Sequence, residues 1–99
     1  MSKVALQVTL EARPGKEKEV EQFLREGVNI ARGEQGTRSW FALRFGPRKF
    51  GIFDTFDDET GRQAHVGGEL AKALFARAEE LFSTAPQIEQ IDILAEKHS

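Results

Sequence analysis

Two strand-like runs, Arg38 to Phe45 and Phe50 to Phe56, are apolar on both faces, and this constrains the chain more than any other feature. In the first, Phe41, Leu43 and Phe45 alternate with Trp40 and Ala42. In the second, Phe50, Ile52, Asp54 and Phe56 alternate with Gly51, Phe53 and Thr55. Alternation with a period of two is the signature of a strand, and each apolar face needs its own cover. Gly46-Pro47-Arg48-Lys49 between them reads as the turn of a hairpin. That turn groups Phe41, Leu43, Phe45, Phe50, Ile52 and Phe56 on one side, with Trp40, Ala42 and Phe53 on the other.

The rest of the chain supplies one of the two covers. Val4, Leu6, Val8 and Leu10 form a half-buried strand before the break at Pro14-Gly15. From Lys16 the period becomes helical, with Val20, Phe23, Leu24, Val28 and Ala31 on one face and charged groups opposite. Gly33 and Gly36 end it. Asp57-Asp58-Glu59 offers a helix start with acidic groups near the helix dipole, and Thr60 with Gln63 offers a rival capping box. This short helix carries Ala64 and His65 before Gly67-Gly68. A longer helix follows with Leu70, Leu74, Ala78, Leu81 and Phe82 as its stripe, stopped by Pro86. Ile88, Ile91, Ile93 and Leu94 make a last strand, with a bulge expected near Gln90. Glu96 to Ser99 reads as a frayed tail.

The order β-α-β-β-α-β predicts an α+β, ferredoxin-like fold: a four-stranded antiparallel sheet with helices on one face. Residues 1–99 form one unit, with an ordered core from about 3 to 95. The other face, with Trp40 and Phe53, then needs a second cover, since a contiguous apolar patch of that size is rarely left in water. A second copy of the same sheet, in an isologous homodimer, is the economical solution; a ligand groove in a monomer is the alternative.

Composition removes several function classes. Fourteen basic and 16 acidic residues leave a net charge of −2, which gives no footprint for nucleic acid or an anionic membrane. No apolar run spans a bilayer, and Met1-Ser2-Lys3-Val4 leads into a strand without a signal-peptide core, so a cytoplasmic protein is expected. The absence of cysteine excludes disulfides and thiolate chemistry. With only two histidines, no metal site is expected. Asp57-Asp58-Glu59 lacks calcium-loop spacing.

Three short stretches stand in order along the chain: Ala31-Arg32-Gly33-Glu34-Gln35-Gly36, Phe53-Asp54-Thr55-Phe56-Asp57-Asp58-Glu59 and Ala64-His65. With them, and in strand order and length, the sequence resembles the antibiotic biosynthesis monooxygenase family of dimeric α/β-barrel proteins, across nearly the whole chain. The first stretch is similar to that family's AR-x-EPG approach to the second strand, with Gln35 in place of proline. Trp40 stands where tyrosine is common. Phe53-Asp54-Thr55-Phe56-Asp57-Asp58-Glu59 is similar to its YE-x-W-x-D/S-x-E stretch, and Ala64-His65 to its AH pair. The resemblance implies a quinol monooxygenase-like protein that uses no cofactor and oxidises a small aromatic quinol or phenol with dioxygen. A non-catalytic, dimeric binding or stress-associated domain of the same fold is the alternative. Asp54 and Phe56 replace the motif glutamate and tryptophan, no tyrosine exists, and the first strand lacks the asparagine of the haem-degrading branch.

Cofactor-free oxygenation needs a base near neutrality, a group to steady an anion, and apolar walls. His65 has the suitable unperturbed pKa. It reads as catalytic, or as structural where the short helix meets Gly67-Gly68. Asp54 reads as a second base if burial raises its pKa, or as an acceptor for Arg62 or for the helix start at Glu59. Arg44 and Arg38 are candidates to hold an anion beside Trp40. Trp40, Phe41, Phe53 and Phe56 are candidate substrate walls, each of which also reads as core.

Overall fold

The computed structural model describes residues 3–98. Met1, Ser2 and Ser99, which open the first pattern and close the tail, lie outside them. The strands are β1 (Val4–Glu11), β2 (Thr37–Arg44), β3 (Lys49–Phe56) and β4 (Gln87–Asp92). The helices are α1 (Glu17–Arg32), α2 (Glu59–Val66), α3 (Glu69–Ala76) and α4 (Ala78–Leu81). The sheet is antiparallel in the order β2-β3-β1-β4, the ferredoxin-like layout. Helices lie against one face only, over a core of Val8, Leu10, Val20, Leu24, Phe50, Ile52, Leu74, Leu81 and Phe82. No described helix is long and apolar enough to cross a membrane.

The hairpin register corrects the sequence reading. Phe45 N–H donates to the Lys49 carbonyl at 2.8 Å, and Arg44 pairs with Phe50. The loop is therefore Gly46-Pro47-Arg48, one residue shorter than a Gly46–Lys49 turn. One residue of slip moves every side chain of a strand to the opposite face. Trp40 and Ala42 consequently share the helix-covered face with Phe50, Ile52 and Asp54. Phe41 and Leu43 share the open face with Phe53 and Gly51. Trp40 does not belong to the uncovered side; its ring packs with Leu70 against Gly27 of α1.

The open face is apolar all the same. Phe41 and Phe53 stack with centroids 6.5 Å apart, and Phe41 and Phe45 are each 52% exposed. Phe45 lies over Gly51, where a Cβ would come within 2.7 Å of its ring, so the glycine makes room for the aromatic. The last strand is shorter than its apolar pattern suggests: β4 ends at Asp92, and Leu94 beyond it is 97% exposed. The bulge expected near Gln90 is absent from the regular β1–β4 ladder, and the irregularity falls instead between Thr37 and Ser39. The long second-half helix is broken at Arg77 into α3 and α4.

Helix α2 is set by its start. Asp58, in extended backbone, caps it by accepting the Gly61 N–H at 3.0 Å, and Gln63 bonds Glu59, so the Thr60–Gln63 box does not form. Its first turn then crosses the α1–β2 loop at Gly36. A Cβ on Gly36 would meet Gly61 Cα at 2.8 Å, and one on Gly61 would meet the Gly36 carbonyl at 2.9 Å. Both positions need glycine because backbone touches backbone.

Candidate functional site

The crossing at Gly36 and Gly61 brings three titratable side chains together from three separate stretches of chain. Asp54 points from β3 toward α2 and is fully buried. Its Oδ2 lies 2.7 Å from Nε2 of His65, which is 8% exposed. The contact is short but off the line of a well-formed N–H···O bond, and neither Asp54 oxygen has an aligned hydrogen-bond partner. On the other side of the ring, Nδ1 stands 2.6 Å from Oε1 of Glu34, in the α1–β2 loop. The same oxygen accepts the Thr37 hydroxyl at 3.0 Å. Phe56 packs against the imidazole with ring centroids 5.3 Å apart.

Burial pushes the Asp54 carboxyl above its ordinary value near 3.8, outweighing the nearby imidazole. For His65 burial works toward a lower value. Asp54 and then Glu34 outweigh it and hold the imidazole above its ordinary 6.5. Both groups thus hold their protons to higher pH than they would in water.

Two spaces flank the cluster. His65 lines a small, partly open cavity of about 40 Å³ with Leu6, Val8, Ile52, Leu70, Ala71 and Leu74, and with Val66, Phe75 and Ile88, each at least 40% exposed. Asp54 adjoins this cavity through Leu6, its partner across the ladder, and Ile52, two residues along its strand. Glu34 lines the second space, an open groove of about 300 Å³ between the end of α1 and β2 that also includes Trp40 and Arg38. Indole Nε1 of Trp40 is buried without a partner.

Of the residues singled out from sequence, the fold unites His65, Asp54 and Phe56. Arg62 is not the partner of Asp54. It forms an ion pair with Glu59 and donates to the Ala5 and Ile91 carbonyls at 3.3 and 3.4 Å, which ties α2 to the sheet. Arg44 sits at the other end of β2, paired with Glu21 and stacked over Phe50 at 5.0 Å, away from His65. Arg38 faces Asp57 at 3.5 Å. Phe41 and Phe53 are on the open face, and Trp40 opens on the Glu34 groove, so none of these three aromatics lines the cavity beside His65, whose walls are mostly aliphatic with Phe75 at the rim. Glu34 was not among the residues singled out. Its signal was the EPG-like segment at the entry to β2, 31 residues before the histidine it contacts.

The fold defines a class, small ferredoxin-like α+β proteins with helices on one face of a four-stranded antiparallel sheet, and in this chain a buried histidine–carboxylate cluster lies between sheet and helix. No family model and no curated protein matches the chain. Among solved structures it is similar to NE2512, a protein of unknown function from Nitrosomonas europaea. Identity there is 50% and the TM-score 0.97, over 100% of this chain and 96% of that one. The chain belongs to the same family as NE2512. More distantly it shares the fold of PA3566 from Pseudomonas aeruginosa, at 24% identity and TM-score 0.81, covering 96% and 97% of the two chains. It shares the fold also with a candidate antibiotic biosynthesis monooxygenase from Caulobacter crescentus, at 20% identity and TM-score 0.80, covering 95% and 92%.

Proposed function

We propose that the protein is a cofactor-independent monooxygenase of the cytoplasm that oxidises a small aromatic quinol or phenol with dioxygen. The observation that carries this reading is the Asp54–His65 pair, buried beside a small apolar cavity with both pKa values raised. Asp54 takes the substrate's hydroxyl proton, and His65 shares it. The resulting anion supplies the electrons that reduce dioxygen; one oxygen atom stays in the product and the other leaves as water. Burial matters because an anion in a dry site is a stronger reductant than one stabilised by solvent. The fold shared with monooxygenase-named proteins supports the reaction class by analogy.

A cavity of about 40 Å³ is far smaller than the roughly 300 Å³ or more of ordinary ligand sites. Substrate entry therefore requires α2 and α3, joined at Gly67-Gly68, to move away from Ile88 and carry Val66 and Phe75 with them. The open sheet face, with Phe41, Leu43, Phe45 and Phe53, is read as the surface that pairs with a second copy, making the working unit a homodimer.

Oxygen uptake with a panel of quinols and phenols, without added flavin or metal, tests the reading. Uptake that falls at least tenfold in Asp54→Asn and His65→Ala supports it, and no uptake above buffer with any substrate refutes it. One observation favours a non-catalytic binding domain as the second reading: both nitrogens of His65 already face carboxylates. Ligand-induced thermal stabilisation without oxygen uptake would select that reading.

A further inference from the structure

Both ring nitrogens of His65 approach carboxylate oxygens closely, Nδ1 at 2.6 Å and Nε2 at 2.7 Å. A deprotonated nitrogen that close to an ionised oxygen would set lone pair against lone pair. The Nδ1–Glu34 contact is a hydrogen bond and carries a proton. The Nε2–Asp54 contact, though off the N–H···O line, is close enough that it too needs one, so the three groups together hold two protons with a net charge of −1. Those protons can sit as imidazolium between two carboxylates, or as a neutral imidazole beside one carboxylic acid; shifting one along either contact leaves the charge unchanged.

The cluster also crosses from inside to outside. Asp54 is fully buried beside the apolar cavity, and His65 lines that cavity. Glu34, with a side chain 19% exposed, lines the open groove on the far side. The charged or titratable groups facing the imidazole are Asp54 from β3 and Glu34 from the α1–β2 loop. Thr37 of β2 fixes Glu34 from behind.

We propose that Glu34 is the solvent end of a proton relay, positioning His65 through Nδ1 and passing protons between the buried Asp54–His65 pair and the open groove. A proton taken onto Asp54 raises the count to three. Transfer of the Nδ1 proton to Glu34 then carries one proton to the edge of the open groove without opening the fold. The neutral imidazole now accepts from the Glu34 carboxyl group, while its Nε2–H still faces Asp54. Delivery of a proton inward runs the same steps in reverse. The proposal rests on the acid–base reading of the site, but its first test does not involve turnover.

The test is NMR titration of the His65 imidazole in wild type, Glu34→Gln and Glu34→Asp. Glutamine keeps an acceptor for Nδ1–H and removes the proton-carrying group. The expected result is a wild-type midpoint above 6.5, lowered by at least one pH unit in Glu34→Gln and restored at least halfway in Glu34→Asp. The Nδ1 proton should exchange with water at least tenfold more slowly in Glu34→Gln. Equal midpoints and equal exchange rates in wild type and Glu34→Gln overturn the relay, whatever the enzyme assays show. Should a quinol be turned over, Glu34→Gln should lower kcat at least tenfold with KM nearly constant. An unchanged kcat would likewise overturn the proposal, while absence of turnover with intact NMR behaviour would count against the monooxygenase alone.

Discussion

Gly61→Ala tests the backbone crossing that builds the site. In an ordinary helix this change stabilises by up to about 1 kcal/mol, through lower unfolded-state entropy. Here the new Cβ would stand 2.9 Å from the Gly36 carbonyl oxygen and 3.3 Å from Gly36 Cα, where ordinary contact begins at 3.4 Å. Both atoms are backbone, so no side-chain rotation relieves the overlap, and α2 must lift from the α1–β2 loop. Overpacking of this kind costs about 1–3 kcal/mol. The net expectation is a loss of about 1–2 kcal/mol, or a melting temperature lower by roughly 5–10 °C for a chain of this size. Gly67→Ala is the control. Its Cβ would meet only the Gln63 carbonyl at 3.7 Å, with φ at −90°, so stability should hold or rise slightly. Urea unfolding of both variants, with the His65 imidazole resonances as a local probe, gives the answer. A Gly61→Ala protein as stable as wild type, with unshifted His65 signals, would refute the reasoning that the two glycines hold Glu34 against His65.

Stability should fall as pH rises from about 6.5 through the folded-state pKa of His65. The folded chain keeps a proton that the unfolded chain releases first, so this stabilisation is complete below 6.5 and lost above. One group limits the slope to about 1.4 kcal/mol per pH unit, and the raised pKa of Asp54 acts in the same direction from about 3.8 upward; urea midpoints that stay flat across pH 6–9 would contradict this. Trp40→Ala should cost about 3 kcal/mol in urea unfolding without changing particle mass, because Trp40 packs under the helices against Gly27. Phe41→Asp with Phe45→Asp should do the reverse, leaving a folded monomer of 11.1 kDa where light scattering of wild type is expected to give twice that mass. A wild-type particle of 11.1 kDa across micromolar concentrations would end the dimer reading.

The element order was legible because each period is carried by several residues. Val4 to Leu10 alternates without interruption, and Val20, Leu24 and Ala31 hold the buried side of α1. The face of Trp40 was not legible, because it depends on the length of one turn. Gly46-Pro47-Arg48-Lys49 fits loops of three or four residues equally well by composition, and the choice inverts every side-chain assignment between β2 and β3. His65 and Asp54 could be singled out by chemistry: one histidine beside a glycine pair, one carboxylate in an apolar run. Their mutual contact could not, since it depends on how α2 docks, and docking is decided by Gly36 against Gly61. Arg62 was drawn away from Asp54 by a nearer carboxylate, Glu59, three residues earlier on the same helix. Glu34 lies in the EPG-like segment at the entry to β2, but nothing in that segment shows that it meets His65, and only the tertiary crossing brings the two together.

The central claim is that a substrate anion formed at Asp54–His65 reduces dioxygen with its own electrons. Turnover of a quinol under ¹⁸O-labelled dioxygen, without flavin, metal or reductant, tests this most directly. One labelled oxygen atom per product molecule, with incorporation abolished in Asp54→Asn, is the result the account predicts. Product oxygen drawn from water, or equal incorporation in wild type and Asp54→Asn, would contradict it.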